Sequence, residues 1–340
     1  MTSFNQCLKK LKIGINLNQK EAFLLQENII SGRLATEEIL EIFNAFEKKS
    51  ITFEELSGIV LATRNHMICL RTDFDVLDTC GTGGDGLNTF NISTVAAIVC
   101  AGAGIPIVKH GNRAATGICG SADLLEAIGV NIHLNVKQSL RCLQKCGMVF
   151  LFAPQFHPAL KHVSQARKLF GKKTYFNIIG PMLNPANAAF QVIGVSDRSI
   201  VDIMGQTLMN NGSKRVTIVF GQNGMDEIST ESETSVTEFG HEKLSKSYLI
   251  RPNHFQLKEY PIQKLQTKSI KENAKICLDV LENRARESHM NAVLLNAACG
   301  VMTFGKAKTM QEGVEIAHHS IESGKALLKL KKLIEVSNTL

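Results

Sequence analysis

The sequence predicts an α/β protein in which a small helical domain precedes a larger α/β domain with a mostly parallel central sheet. Apolar-periodic segments that begin with capping residues fill the first 70 residues or so. Short apolar strands then alternate with helices. The chain of 340 residues also exceeds the size of one ordinary core. We expect residues 1–72 to form the helical domain, completed by a segment around 165–188, and residues 73–340 to form the α/β domain.

The composition is that of a soluble globular protein, with 44% hydrophobic and 20% charged residues. No apolar run is long enough for a membrane span, and no apolar signal region follows the first residues. The nine cysteines form no CxxC motif, which predicts reduced thiols in a cytoplasmic protein. The formal charge of +7 permits an anionic substrate or a nucleic acid and requires neither.

Three helices are predicted in the N-terminal part. They begin near Asn18, Thr36 and Thr52, each followed within three residues by a glutamate, and Gly32 ends the first of them. The C-terminal part is predicted to be mostly helical from about residue 267. Its last helix has leucines on one face and lysines elsewhere, which is typical of a helix packed on a core.

In the middle of the chain, segments with the apolar pattern of strands alternate with segments that have the apolar pattern of helices. Strands are predicted at residues 74–78, 105–108, 148–152, 191–195 and 215–220, and helices at 93–101, 122–128, 136–145 and 200–209. This order favours a mostly parallel sheet, with a ligand cleft between the two domains.

A glycine-rich loop follows the first predicted strand. Gly81, Gly83 and Gly86 satisfy G-x-G-x-x-G, which alone is a weak signal and could indicate a dinucleotide site or a plain turn. A dinucleotide site would have an acidic residue about 20 positions further on, at the end of the next strand. Lys109 and His110 stand there instead, and this favours phosphate.

Residues of N-cap type follow the loop, namely Asn91, Ser93 and Thr94. The free N–H groups at the start of the next helix would point at the glycines and complete an anion cradle. The later run of residues 109–117 leaves a strand and enters a helix, which places it at the sheet edge where ligands bind. Together the two clusters predict a site for a phosphorylated ligand.

These motifs closely resemble those of the anthranilate phosphoribosyltransferases of tryptophan biosynthesis, in the nucleoside phosphorylase and phosphoribosyltransferase superfamily. The resemblance spans residues 75 to 230, approximately. It is carried by residues 78–85, 89–94, 109–113, 120–127, 157–159, 176–185 and 224–227, and by Arg167. It implies that anthranilate displaces diphosphate from phosphoribosyl diphosphate (PRPP).

The resemblance also implies the residues of each subsite. The PRPP site would contain Gly81, Gly84, Asp85, Thr89, Asn91, Ile92, Ser93, Thr94, Lys109, His110, Gly111, Asn112, Arg113, Ala114, Ala115, Thr116, Gly117 and Ser121. Anthranilate would meet Gly81, Asn112 and Arg167. Ser93 would bind one Mg²⁺, and Asp226 with Glu227 another, so two ions are expected.

The chemistry of these residues agrees with those roles. Mg²⁺ prefers one or two carboxylates together with phosphate oxygens and water. Asp226 and Glu227 are adjacent, so they can serve one metal site only in an irregular segment, and Gly224 before them fits that. No general base stands out, so positioning and charge stabilisation are expected to dominate, with Lys109 and His110 as catalytic candidates.

Three residues depart from the family pattern: Cys119, Leu183 and Phe220 stand where serine, threonine and histidine are common. Two alternatives remain open. A pyrimidine nucleoside phosphorylase would use phosphate, but its Lys-His-Ser loop is missing. A nucleic-acid-binding paralogue would fit the charge, but Asn112, Arg167 and the acidic pair argue against it. The resemblance suggests a homodimer through the helical domain, and the sequence does not reveal whether a glutamine-amidotransferase partner binds.

Overall fold

The computed structural model describes residues 4–114, 117–240 and 243–340. Its N-terminal part contains α1 (Phe4–Lys12), α2 (Gln19–Ile30), α3 (Thr36–Lys48) and α4 (Phe53–Asn65). The side chains of Asn18 and Thr52 accept hydrogen bonds from the backbone of Glu21 and Glu55, and both glutamates bond back. These capping boxes confirm the predicted starts of α2 and α4, whereas α1 was not predicted.

A seven-stranded sheet forms the centre of the described chain. Its strands are β1 (Leu77–Gly81), β2 (Ile107–Gly111), β3 (Met148–Phe152), β4 (Phe190–Gly194), β5 (Arg215–Gly221), β6 (Thr234–Gly240) and β7 (Lys243–Ile250). Their order is β3-β2-β1-β4-β5-β6-β7. The first five are parallel to one another, and β6 and β7 are antiparallel. The predicted mostly parallel α/β sheet is therefore confirmed.

The other helices follow the alternation with the strands. They are α5 (Ile92–Gly102), α6 (Ser121–Ala127), α7 (Val136–Cys146), α8 (Ala153–Phe156), α9 (Lys161–Phe170), α10 (Phe176–Ile179), α11 (Val201–Asn210), α12 (Ile270–Leu281), α13 (Glu287–Phe304), α14 (Met310–Glu322) and α15 (Lys325–Thr339). The last of these buries Leu330 and Leu333 against the core, as predicted for an amphipathic helix. Among the described residues, no helix is both long and apolar enough to cross a membrane.

Two apolar cores form among the described residues. One packs α5 and α13 against β1, β2 and β3. The other joins α2, α3 and α4 with Val163, Tyr175 and Met182, and it continues onto Ile193 and Val216 of the sheet. The segment from α9 to α10 thus packs with the N-terminal helices. The domain boundary at residue 72 stays a prediction.

Two strands extend further along the chain than the sequence predicts. The strand expected at 74–78 is Leu77–Gly81, and the one expected at 105–108 is Ile107–Gly111. The prediction ends each strand where the apolar residues end. Backbone pairing instead continues through polar residues and glycine, because neighbouring parallel strands supply the partners. Lys109 and His110 therefore lie inside a strand rather than after it.

Candidate active site

The site lies where the carboxyl ends of β1, β2 and β4 meet. The chain runs outward from β1 to β2 and β3 and then returns to β4 on the other side of β1. This reversal makes a topological switch point, the place where open α/β sheets bind ligands. Gly81 at the end of β1 is paired with Gly194 at the end of β4. The glycine-rich loop begins at that pair.

The loop after β1 needs glycine for its backbone conformation. Gly83, Gly84 and Gly86 have φ of +69°, +76° and +72°, in the left-handed region that other residues adopt at a cost. No described atom outside the immediate chain neighbours lies within 4 Å of the position that a Cβ would take on Gly83 or Gly86. The loop is therefore open on that side and can take a ligand close to its backbone.

Gly81 and Gly194 are needed for a different reason, since both lie against Asp226. A Cβ on Gly81 would lie 2.2 Å from Oδ2 of Asp226, and one on Gly194 would lie 1.4 Å from its backbone oxygen. The N–H of Gly83 donates to Oδ2 of Asp226 at 2.7 Å. The glycine loop is thus folded onto this carboxylate, which lies 143 positions from Gly83 in the sequence.

Three carboxyl groups converge beside the loop. Asp226 and Glu227 lie in an irregular segment between β5 and β6, which is the condition under which adjacent side chains can serve one metal site. Burial and the nearby Asp85 raise the pKa of Asp226 to about 7. Burial, and to a smaller extent the nearby Asp226 carboxylate, raises the pKa of Glu227 well above its usual range. Such a cluster favours a bound cation, which would relieve the repulsion.

The start of α5 is capped in a way that was not predicted. Oε1 of Glu227 accepts the backbone N–H of Ser93 at 2.9 Å, so a distant carboxylate satisfies the first turn. Asn91 occupies the N-cap position, but its side chain donates to the carbonyl of Cys119 instead. Ile92 and Thr94 are fully buried. Asn91 is thus the N-cap, as its residue type indicates, but the expected free N–H of Ser93 is taken by Glu227.

Lys109 lies under the glycine loop with its side chain 2% exposed. Its ammonium donates to the carbonyl of Thr79 and, at 3.5 Å, to Oγ of Ser93. Strand β2 sets this position, because Lys109 is held in register between β1 and β3. The structure therefore brings together the predicted Lys109, Ser93 and Glu227 at one point.

Asp78 is a buried group that begins the motif of residues 78–85 but was assigned no role from the sequence. Its Oδ1 accepts the backbone N–H of His110 at 3.3 Å, and its Oδ2 accepts the amide of Asn184 at 2.7 Å. The same amide donates to the carbonyl of Val108 at 2.8 Å. Burial raises the pKa of Asp78 to about 6. An aspartate within an apolar strand was the available signal.

Two histidines pack together behind the end of β2. The ring centroids of His110 and His157 are 5.0 Å apart, and both Nε2 atoms are buried without a hydrogen-bond partner in the described chain. Burial lowers the pKa of His110 well below its usual range and that of His157 to about 4. Both rings are therefore neutral at pH 7, and each can offer a lone pair or an aromatic face.

The loop after β2 is more exposed. Arg113 forms ion pairs with Asp123 at 3.0 Å and Glu126 at 2.7 Å, so protein carboxylates occupy its guanidinium. Oγ of Ser121 donates to the carbonyl of Asn112 at 3.4 Å. Gly111 is the last residue of β2, and Ala114 and Gly117 lie in the loop that follows. The predicted Ala115 and Thr116 lie outside the described residues.

Arg167 stands on the exposed side of α9. Its guanidinium carbon lies 5.6 Å from the ring centroid of Phe176, and no described carboxylate lies within ion-pair distance. Thr89, which follows the glycine loop, forms an isolated antiparallel β-bridge with Gln266. Because its charge is unpaired within the described residues, Arg167 is free to take an external carboxylate.

The three departures from the family pattern fall in different places. Burial raises the pKa of Cys119 to about 12, so this thiol stays protonated and unreactive. Leu183 is buried in the core that contains the N-terminal helices, and Phe220 packs against it. Neither of these two apolar side chains supplies a polar contact to a ligand.

Within the described part of the chain, no group of three or more histidine, cysteine, aspartate or glutamate side chains is arranged to hold a metal ion by itself. This is compatible with Mg²⁺, which keeps water ligands and shares phosphate oxygens with its substrate. The oxygen donors near the loop, Asp226, Glu227 and the hydroxyl of Ser93, have the chemistry that Mg²⁺ requires.

Comparison with known proteins gives consistent results. A family model described as "Glycosyl transferase family, a/b domain" matches residues 73–327. Anthranilate phosphoribosyltransferase of Methanobrevibacter smithii is 41% identical over 98% of this chain and 99% of its own. The enzyme of that name from a Geobacillus species is 39% identical over 97% of both chains.

Solved structures agree over a similar length. The crystal structure of anthranilate phosphoribosyltransferase from Thermus thermophilus has a TM-score of 0.92 at 33% identity, covering 98% of this chain and 99% of that one. The Saccharomyces cerevisiae enzyme in complex with PRPP and Mg has a TM-score of 0.90 at 28% identity, covering 99% and 98%.

Proposed function

This chain belongs to the anthranilate phosphoribosyltransferase family, and we propose how its site performs the reaction of that family. The reaction transfers the phosphoribosyl group of PRPP to the amine of anthranilate and releases diphosphate, a step of tryptophan biosynthesis. The C–O bond from the ribose to diphosphate breaks, a C–N bond to the amine forms, and the amine nitrogen releases one proton. The main requirement is to stabilise the charge of the departing diphosphate.

The glycine loop, Lys109 and the acidic cluster serve that requirement. The loop offers the backbone N–H groups of Gly84 and Gly86, both in the left-handed conformation that makes anion-binding concavities, whereas the N–H of Gly83 is already bonded to Asp226. Lys109 brings a positive charge to Ser93 at the start of α5. We propose that Ser93 holds one Mg²⁺ and that Asp226 with Glu227 holds a second. Bound Mg²⁺ would neutralise part of the diphosphate charge.

The acceptor is bound on the other side of Gly81. Arg167 can pair with the anthranilate carboxylate through two parallel hydrogen bonds, and Asn112 supplies an amide nearby. His110 is neutral, with an unpartnered Nε2, so it can accept a hydrogen bond from the amine. A depressed pKa makes it a weak base, and positioning of the amine is the larger contribution.

The contact between Asp226 and Gly83 carries this proposal. It joins the acidic pair to the phosphate-binding loop at 2.7 Å, although the two lie far apart in the sequence. A glycine-rich turn that binds nothing does not explain why the Asp226 carboxyl is buried beside it, since burial and the neighbouring carboxyl groups raise the pKa of Asp226. Raised pKa values of this kind cluster at functional sites.

The test mixes the protein with PRPP, Mg²⁺ and anthranilate and follows the loss of anthranilate fluorescence. We expect anthranilate fluorescence to fall only when the protein, PRPP and Mg²⁺ are all present. If anthranilate fluorescence does not fall even at high protein concentration, the proposal is wrong. Cleavage of a pyrimidine nucleoside, with phosphate instead of diphosphate as the co-substrate, would identify a nucleoside phosphorylase. DNA binding that falls steeply with salt, without turnover, would identify a nucleic-acid-binding protein.

We also propose a homodimer formed through the N-terminal helices. Ile13, Ile15 and Leu61 are exposed there, by 72%, 48% and 38% respectively. Apolar surface of this kind on a short helical unit suits burial against a second copy. Light scattering coupled to size exclusion measures the mass directly, and a monomer at micromolar concentration would contradict the proposal. A cytoplasmic location is the setting that the reduced cysteines suggest.

A further inference from the structure

Lys173 approaches the glycine loop from the segment between α9 and α10. Its Nζ lies 3.7 Å and its Cε 3.9 Å from the position that a Cβ would take on Gly84. No other described atom outside the immediate chain neighbours comes within 4 Å of that position. The side of the loop that is otherwise open therefore faces an ammonium group, which comes from a segment about 90 residues further along the chain.

The backbone on both sides of Lys173 is held in place. Gly171 ends α9 with φ of +68°. The N–H of Thr174 donates to the side chain of Asn177 at 2.8 Å, which fixes the start of α10. Tyr175 is buried, and its hydroxyl donates to Gln26 of α2 at 2.9 Å. These anchors place the Cα of Lys173 at the cleft, although its side chain is exposed.

Lys172 and Lys173 are adjacent but differ in their partners. Nζ of Lys172 forms an ion pair with Glu47 of α3 at 2.7 Å. Lys173 has no carboxylate within ion-pair distance in the described chain, although Asp85 and Asp226 lie in and beside the same loop. A cation that leaves nearby carboxylates unpaired and extends over an anion-binding loop is available for a ligand.

We propose that Lys173 is a further PRPP-binding residue, whose ammonium contacts the diphosphate at Gly84. It would complement Lys109, since Lys109 is buried and bonded to Thr79 whereas Lys173 is exposed and extends over the loop. In the sequence, only a pair of adjacent lysines marks this position. The inference rests on the proposed function, because it assigns a residue to the same site.

The experiment compares Lys173→Ala with the matched control Lys172→Ala. We expect Lys173→Ala to raise KM for PRPP and Ki for inorganic diphosphate by about five- to tenfold, the effect of losing one charge-assisted contact at a partly solvated site. KM for anthranilate and the melting temperature stay as in the wild type. Lys173→Arg restores most of the affinity, and Lys172→Ala leaves all four quantities unchanged.

Two outcomes would overturn the inference. Lys173→Ala could match Lys172→Ala in KM for PRPP and Ki for diphosphate. Alternatively, it could raise both Michaelis constants equally and lower the melting temperature, which would indicate a structural role. If the wild type does not consume anthranilate at all, the proposed function fails instead. Calorimetric binding of Mg²⁺ with inorganic diphosphate then decides on Lys173 separately, because it needs no turnover.

Discussion

The two halves of the site are built in different ways. In the proposed diphosphate half, three charged groups already have protein partners: Asp226 accepts from Gly83, Glu227 accepts from Ser93, and Lys109 donates to Thr79. Lys173 is the exposed exception. In the proposed acceptor half, to which we assign Asn112, Arg167 and the two histidines, Arg167 has no carboxylate partner and both Nε2 atoms are unpartnered within the described residues. The difference follows from chemistry, because a developing diphosphate needs preorganised charges whereas an aromatic acid needs a cleft to enter.

If the diphosphate half is preorganised, damage to its frame should have the largest effect. Gly194→Ala places a Cβ 1.4 Å from the backbone oxygen of Asp226, and neither backbone can move without breaking the pairing of β4 with β1 and β5. We expect a loss of at least about 4 kcal/mol in the free energy of unfolding, a size reserved for severe clashes. Urea denaturation measures it.

The matched control is Gly212→Ala, at a turn with φ of +97° and no described atom within 4 Å of the new Cβ. It should cost only about 1 kcal/mol, from the unfavourable backbone conformation. Equal losses of unfolding free energy at the two positions would show that the contact between Gly194 and Asp226 is not rigid. The diphosphate half would then not be preorganised in the way proposed.

Asp78 links the halves, since it joins β1 to the backbone of His110 and to Asn184. Asp78→Ala leaves two buried donors short of an acceptor and should cost about 1–3 kcal/mol at pH 5. Folding raises the pKa of Asp78 from 3.8 to about 6, so the folded protein holds this proton more tightly. The stability that Asp78 contributes therefore falls as pH rises from 4 towards 6. The difference in the free energy of unfolding between wild type and Asp78→Ala narrows over the same range.

Denaturation at pH 5 and pH 7 tests both parts of this prediction. Asp75→Ala serves as the control, because the Asp75 carboxylate forms an exposed ion pair with Lys214 and should contribute less than about 1 kcal/mol. If the difference in the free energy of unfolding between wild type and Asp78→Ala instead widens towards pH 7, the ionised Asp78 carboxylate is stabilised in the folded state, which contradicts the effect expected from its burial.

Asp226→Asn tests the metal role directly. The amide is uncharged and a poorer ligand for a hard cation, so we expect the Mg²⁺ concentration for half-maximal activity to rise about tenfold. Titration of activity with Mg²⁺ at saturating PRPP measures it. Glu233→Gln is the control, since Glu233 pairs with Arg251 on the surface. An unchanged Mg²⁺ requirement in Asp226→Asn would remove Asp226 from this role.

The sequence predicted the fold class and the glycine-rich loop after β1, because turn glycines, caps and periodicity are local signals; the binding roles of the loop residues stay predictions. It could not predict that Glu227 caps α5 or that Lys173 reaches Gly84, since both contacts join segments far apart in the chain. The antiparallel β6 and β7 were also missed, because polar serine, threonine and lysine side chains interrupt their apolar pattern. Long-range packing decides these features, and local propensity does not.

The smallest effect is expected in the acceptor half, from Arg167→Ala. Arg167 is exposed and contacts Phe176 only through its ring face, so its removal leaves the fold intact. The variant loses one solvated pairing with the anthranilate carboxylate, and we expect KM for anthranilate to rise about fivefold while KM for PRPP changes less than about twofold. Lys168→Ala, one position along the same helix, should change neither constant. Equal effects of Arg167→Ala on both substrates would argue against its assignment to the acceptor and would place the boundary between the two halves elsewhere.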